Sequence, residues 1–346
     1  MDQSAVSIRP RALLGASLAM LLLAAAIAIP SAARAGASAS VSCTKATDIE
    51  AIIDDSGSMA ITDEDRLRVQ AMNLLIDSLS PGTSLGAVEF GGSFLASEPA
   101  ADTLFPPEAV GPNAAAMRTA MKEKVNADSG LTDYNAAFAQ SDLDNPGADA
   151  RIFLTDGGHD AGEYKNGHLV HPVPTYVIGF GPSFVTKGAD SARLKEIANS
   201  TGGALFALED SSDLQAVSNS IAAALTCQTP PQTFKDELAK GAAKEHTLTI
   251  GAATKALQVV LTWASPKDRF KLSGFKLVQG KRLIALGRRQ PRKLKVTVKA
   301  SSETFTIVQV SGLSRGKLHF KVRAAKIGSG SPKVKVTTQA SQRAHR

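Results

Sequence analysis

Cysteine is nearly absent from this 346-residue chain, with Cys43 and Cys227 the only two. That excludes a disulfide-dense small scaffold and any metal site built from several thiolates. Aromatic residues are scarce at 5%, with a single Trp, so the basic stretches lack the stacking partners of a single-stranded nucleic-acid groove. His168 and His171 are spaced too loosely for a zinc pair. There is no G-x-S-x-G elbow. "GLSRGK", Gly312 to Lys317, lacks one spacer and the final Ser or Thr of a phosphate loop. Neither half shows a nucleophile–base pair, so the chain is not expected to be an enzyme. After Ile29 no apolar run is long enough to span a bilayer.

The N-terminus carries the one long apolar run. Arg9 and Arg11 precede Ala12 to Ile29, then Pro30, and Ala33-Arg34-Ala35 fits a small-residue cleavage site. Residues 1–35 therefore read as a secretory signal peptide, with an uncleaved membrane anchor as the alternative. Export permits a disulfide, and Cys43 and Cys227 bracket one continuous αβ-patterned region. Closing that loop would stabilise the fold by about 5 kcal/mol in the chain-entropy model. Two unpaired thiols are the other reading. The expected location is secreted or at the cell surface.

The formal net charge of +7 hides an asymmetry. From Gly36 to Cys227 there are 11 Lys/Arg against 26 Asp/Glu, and from Gln228 onward 25 against 5. An acidic region is thus joined to a strongly basic one. For an exported protein, an anionic cell-surface polymer or lipid suits the basic part better than specific nucleic acid does.

From Thr47 the pattern alternates strand and helix. "TDIEAII", "LGAVEF", "RIFLT", "PTYVIGFG" and "ALFAL" read as strands, and "SFLAS" as an edge partner of the second. Leu67, Ala71, Leu74, Leu75 and Leu79 recur at helical spacing, and Asn113 reads as the N-cap of a helix over "NAAAMRTAMKEKV". Alternation of this kind predicts an α/β fold, a doubly wound and mostly parallel sheet covered on both faces. "CQTPPQT" reads as a linker at 228–233, since consecutive prolines cannot continue a helix. Residues 234–340 then show short β-rich runs with lysine alternating against apolar residues, which predicts a smaller all-β sandwich or jelly roll. Residues 341–346 read as a disordered tail.

In a doubly wound sheet, ligands gather beyond the carboxyl ends of the strands. Asp54 ends the first strand and Asp156 follows "RIFLT", so both carboxylates belong to that edge. Asp54-x-Ser56-x-Ser58 adds two hydroxyls from one tight loop, and Thr132 in "SGLTDY" offers a third. All five are hard oxygen donors, suited to a cation such as Mg²⁺. "DDSGSMAITDED" is also acidic and twelve residues long, but Met59 stands where a calcium loop of the EF-hand kind needs glycine, and Asp65 replaces its glutamate.

These residues resemble the metal-ion-dependent adhesion site of von Willebrand factor A-type (VWA) domains. The resemblance spans Thr47 to about Leu225 and includes "VIGFG" and "LKEIANSTGGALFAL", within a domain expected over 44–227. It implies a Rossmann-like fold with metal ligands Asp54, Ser56, Ser58, Thr132 and Asp156. The serines and threonine would bind Mg²⁺, or alternatively Mn²⁺ or Ca²⁺, and the aspartates would act largely through water. A carboxylate from a protein partner would complete the octahedron. The implied function is adhesion or protein–protein interaction. Recognition modules of secreted hydrolases, channel-like proteins and metal-chelatase complexes are the alternatives. Beside the five, Asp55 and Asp133 read as solvated neighbours, His159 as a surface-loop histidine and Trp263 as core.

Overall fold

A computed structural model describes residues 46–91, 99–126, 130–181, 189–209, 211–279, 282–285 and 294–344. The signal-peptide region, Cys43 and the "SFLAS" edge partner lie outside the described residues. No helix among the described residues is long and apolar enough to cross a membrane.

The first half contains β1 (Asp48–Asp54), α1 (Met59–Thr62), α2 (Leu67–Ser78), β2 (Ser84–Phe90), β3 (Ala101–Ala109), α3 (Val110–Lys124), α4 (Tyr134–Asp144), β4 (Ala150–Thr155), β5 (Thr175–Phe180), α5 (Ala189–Ser200), β6 (Ala204–Leu208) and α6 (Leu214–Leu225). Its strands form one sheet in the order β3-β2-β1-β4-β5-β6, parallel except for β3 at the edge. Buried apolar residues point to both faces, as a doubly covered sheet requires. Ile49, Ala51 and Ile53 pack with α2, α3 and α6, while Ile52 and Phe153 pack with Tyr134, Phe138 and Leu194 of α4 and α5.

β3 contains Pro106 and Pro107 and is absent from the sequence reading. Proline cannot donate to a strand ladder, but at a sheet edge that loss is tolerated, and the β2–β3 register shifts twice near Ala87. The helix expected to start at Asn113 starts at Val110 instead, with Ala109 as its N-cap. Asn113 lies in its first turns and donates its side-chain amide to the Ala109 carbonyl at 3.0 Å.

The second half is all β: β7 (Gln232–Leu238), β8 (Ala243–Ile250), β9 (Thr254–Trp263), β10 (Arg269–Gln279), β11 (Arg282–Ala285), β12 (Lys295–Ser301), β13 (Phe305–Ser311), β14 (Gly316–Lys326) and β15 (Val334–Ala344). A four-stranded sheet, β11-β10-β14-β8, faces a five-stranded sheet, β12-β13-β9-β15-β7, and every strand pairing among the described residues of these sheets is antiparallel. Trp263, Phe270, Phe275 and Phe320 lie in the apolar layer between them, so Trp263 is core. Two boundaries shift. β7 begins inside the expected linker, and residues 341–344 continue β15 rather than fraying. Gln342 is held by Thr229, whose backbone N–H donates to its carbonyl at 3.1 Å and whose hydroxyl accepts from its N–H at 2.9 Å.

All described residues belong to one compact unit, Ser40–Arg346. The five-stranded sheet buries its second face against α2 and α6. Leu74 packs there with Val260, Phe305 and Ile307. Around that apolar contact, Gln215 donates to Thr304 Oγ1 at 2.6 Å and Asn219 to Gln339 Oε1 at 2.9 Å. α2 therefore has a sheet on either side, which is why nine of its twelve residues are buried.

Candidate functional site

The five oxygen-bearing residues come from three loops at one edge of the α/β sheet. β1 and β4 are parallel neighbours in register, Ile53 beside Leu154, so their carboxyl ends emerge together. Thr155 closes β4 and donates its hydroxyl to Asp54 Oδ2 at 2.5 Å. Asp54 Oδ1 accepts from the Ser56 N–H at 2.9 Å, turning the chain sharply after the strand. Met59 N–H then bonds the Ser56 carbonyl at 3.0 Å, and α1 begins.

The side chains converge. Thr132 Oγ1 lies 3.2 Å from Ser56 Oγ, Ser56 Oγ lies 3.3 Å from Ser58 Oγ, and Ser58 donates to Asp156 Oδ1 at 2.7 Å. Asp54, Ser56, Thr132 and Asp156 are buried, whereas Ser58 is exposed, so the cluster opens to solvent on one side. Gly157 leaves that space clear, since a Cβ there would stand 3.4 Å from Thr132 Oγ1 and 3.6 Å from Ser58 Oγ. Thr132 is held by Asp160, which accepts its N–H at 2.7 Å and returns its own N–H to the Thr132 carbonyl at 3.1 Å.

Burial raises the proton affinity of both carboxylates. Burial, then the charge of Asp156, pushes Asp54 up to about 7. Burial raises Asp156 as well, and the hydroxyls of Thr62 and Ser58 draw it partly back. A divalent cation between them would reverse the effect by favouring both charged forms. The donor set suits such an ion: three hydroxyls, two carboxylates, no sulfur and no imidazole. Among the described residues, no three His, Cys, Asp or Glu side chains gather as a metal cage would, so the hydroxyls have to supply most of the shell.

Several supporting residues escaped the sequence reading. Asp55 is buried rather than solvated and meets Arg68 at 2.6 Å. Arg68 also bonds Asp63 at 3.1 Å, and Asp63 accepts the N–H groups of Leu67 and Arg68 at 2.7 and 2.9 Å, capping α2. Thr62 donates to Asp156 Oδ2. Asp133 is the N-cap of α4, accepting from Asn135 and Ala136. His159 is not a surface residue, because its buried ring accepts the Tyr134 N–H at Nδ1, 3.1 Å away. Its signal was weak in one dimension, 25 residues from its partner. His168 is buried too, between the Tyr164 hydroxyl at 2.6 Å and Ser200 Oγ at 3.1 Å, apart from exposed His171.

No family model matches the chain, and no curated protein matches it. Solved structures do align. A von Willebrand factor type A protein from Catenulispora acidiphila shares 19% identity over 86% of this chain and 63% of its own, with a TM-score of 0.41. Proximal thread matrix protein 1 from the mussel byssus, with a zinc-occupied MIDAS motif, shares 18% over 57% of this chain and 50% of its own, with a TM-score of 0.41. The pilus adhesin SpaC from Lactobacillus rhamnosus GG shares 12% over 87% of this chain and 44% of its own, with a TM-score of 0.43. The chain thus spans less than two thirds of the length of each.

Proposed function

We propose that this chain is an exported, non-enzymatic binding protein of the VWA type. Ser56, Ser58 and Thr132, with Asp54 and Asp156 behind them, would hold Mg²⁺, with Mn²⁺ or Ca²⁺ as alternatives. The cation would supply an acceptor for a carboxylate of a protein ligand. The observation that carries this reading is the convergence of three hydroxyls and two carboxylates at the carboxyl edge of the sheet, with Ser58 open to solvent. The protein's own groups do the positioning: Thr155 orients Asp54, Asp160 fixes Thr132, and Thr62 orients Asp156.

The basic β half has a separate role in this reading, holding the molecule near an anionic cell-surface polymer or lipid. Lys317, Lys321 and Arg323 alternate with buried Leu318, Phe320 and Val322 along β14, which supports a charged outer face. A Cys43–Cys227 disulfide would close the α/β domain, and intact mass before and after reduction tests it. Calorimetry with MgCl₂ on the wild type and on Asp54→Ala tests the metal assignment. Saturable heat lost in the variant is expected, and equal heats would sink it.

A further inference from the structure

The four-stranded sheet of the β half has one covered face and one open face. Phe270, Phe275, Leu277, Leu318, Phe320 and Val322 of β10 and β14 point into the layer between the two sheets. Their neighbours point the other way, as strand pleating requires. On that outer face Lys271 stands opposite Arg323, Ser273 opposite Lys321, Lys276 opposite His319 and Val278 opposite Lys317. Lys271, Lys276, Lys317, Lys321 and Arg323 are all exposed. From Lys317 to Arg323 the row on β14 runs about 20 Å of extended strand.

A bulge builds this face. Between the Ser273–Lys321 and Lys276–His319 pairs, β10 places Gly274 and Phe275 against Phe320 alone in β14. Gly274 takes the left-handed backbone, φ 65, that suits such a bulge. Side chains change face at each step, so the extra residue reverses the alternation. Phe275 thereby turns inward, stacked on Phe320 at 5.7 Å between ring centroids, and Lys276 turns outward beside His319. Without the extra residue, Lys276 would be aimed at the core.

The charges gathered here are nearly all of one sign. Glu245 is the single acidic residue of β8, β10 and β14. It meets His319 at 3.4 Å and Lys321 at 3.5 Å. Among the described residues, Lys271, Lys276, Lys317 and Arg323 have no ion pair. Like charges directly opposite each other destabilise a sheet. Lys271 faces Arg323 in that way, so the fold holds together cations that repel, and an external anion would relieve the repulsion. The described part of the face has no large exposed apolar residue to bury in a bilayer. The phenylalanines of these strands are turned inward, so they offer no stacking platform to nucleic-acid bases.

We propose that the outer face of β10 and β14 binds a linear anionic polymer, whose phosphate or carboxylate groups lie along the two facing rows of cations. This rests on the reading that the basic half meets an anionic surface, and it assigns the face and makes the ligand a polymer rather than a bilayer.

Calorimetry on the full chain tests it, in EDTA so that the candidate metal site stays out of the signal. The probes are long-chain polyphosphate, polygalacturonate, neutral dextran, and vesicles of phosphatidylglycerol with phosphatidylcholine. Saturable binding of one or both polyanions, weakened by added KCl, and none of dextran, is expected. The better polymer tells phosphate from carboxylate. Lys276→Gln combined with Arg323→Gln should weaken binding about tenfold at low KCl and flatten its salt dependence. Lys295→Gln combined with Lys335→Gln removes the same charge from exposed positions of the five-stranded sheet. That pair should weaken binding by less than about twofold. Equal weakening by the two pairs overturns the assigned face and leaves the anionic-surface reading standing. Tighter binding to the vesicles than to either polymer overturns the polymer. No binding to polymers or vesicles overturns the anionic-surface reading as well.

Discussion

Arg68 on α2 meets Asp55 in the loop after β1 at 2.6 Å, with both side chains buried. The pair ties the loop of the candidate site to the helix that also carries the β sandwich. Arg68 serves Asp63 as well, so its charge lies among two buried carboxylates. Removing one partner of such a network leaves uncompensated charge in a dry place. Arg68→Met is expected to cost about 3–5 kcal/mol in urea unfolding. Arg68→Lys should recover only part of that, because an ammonium cannot span Asp55 and Asp63 as a planar fork does. A loss below about 1 kcal/mol for Arg68→Met would mean that the pair is no more than a surface bridge.

Gly91 stands directly behind the same loop. Its φ is +126, and a Cβ would come within 2.3 Å of the Ser56 N–H nitrogen. That N–H is the donor that turns the chain onto Asp54. Gly91→Ala therefore strains the backbone and displaces Ser56 together. The expected outcome is a loss of about 1–3 kcal/mol in stability and of Mg²⁺ heat in calorimetry, with the far-ultraviolet circular dichroism unchanged. Full Mg²⁺ binding in this variant would show that Ser56 tolerates displacement.

Leu74 supports the contact between the two halves. It is fully buried against Val260, Phe305 and Ile307 of the five-stranded sheet. Leu74→Ala is expected to lower stability by about 2–5 kcal/mol, the transfer and cavity terms together. Because Gln70, Gln215 and Asn219 hydrogen-bond across the same seam, the wild type should unfold in one transition. Calorimetric scans check both, and two resolved transitions in the wild type would show that the seam does not couple the halves.

The alternation of strand and helix was readable because each β strand is a short apolar run and each helix carries its own period. β3 was not, since Pro106 and Pro107 look like loop, and only its place at the sheet edge makes them tolerable. The end of β15 looked frayed because Gln342 and Arg343 are polar. Its partner β9 is far away in sequence, and strand pairing of that range leaves no local trace. The candidate site was legible as hydroxyls and carboxylates in a family order at strand ends. Its supports were not, because Asp160, Thr62 and Arg68 act through partners 28, 94 and 13 residues distant. Burial of α2 on two sides could not be foreseen either. The helical period names Leu74 as apolar without saying that a second sheet covers it.

Glu50 gives the fold a pH dependence that can be separated from metal binding. It lies in the middle of β1, fully buried, and burial pushes it up to about 8. Asp144 and Asp48 add to the rise, while Asn145 and Arg151 oppose it. In the unfolded chain the same group ionises near its ordinary 4.5. Between those values the folded chain holds a proton that the unfolded chain has released. Stability from this group is therefore complete below the unfolded value and is lost as pH rises toward about 8. The slope is at most about 1.4 kcal/mol per pH unit for one proton. Glu89, pushed up to about 7 by burial with Asp55 and Asp102, contributes in the same direction, as does Asp54. Glu50→Gln keeps the shape and has no proton to lose. Urea unfolding in EDTA from about pH 5 to pH 8 should show a shallower decline for the variant than for the wild type. The variant's advantage should be greatest at the alkaline end, with Glu89 and Asp54 accounting for the slope that remains. Parallel pH profiles for the two proteins would show that Glu50 is already ionised in the folded chain.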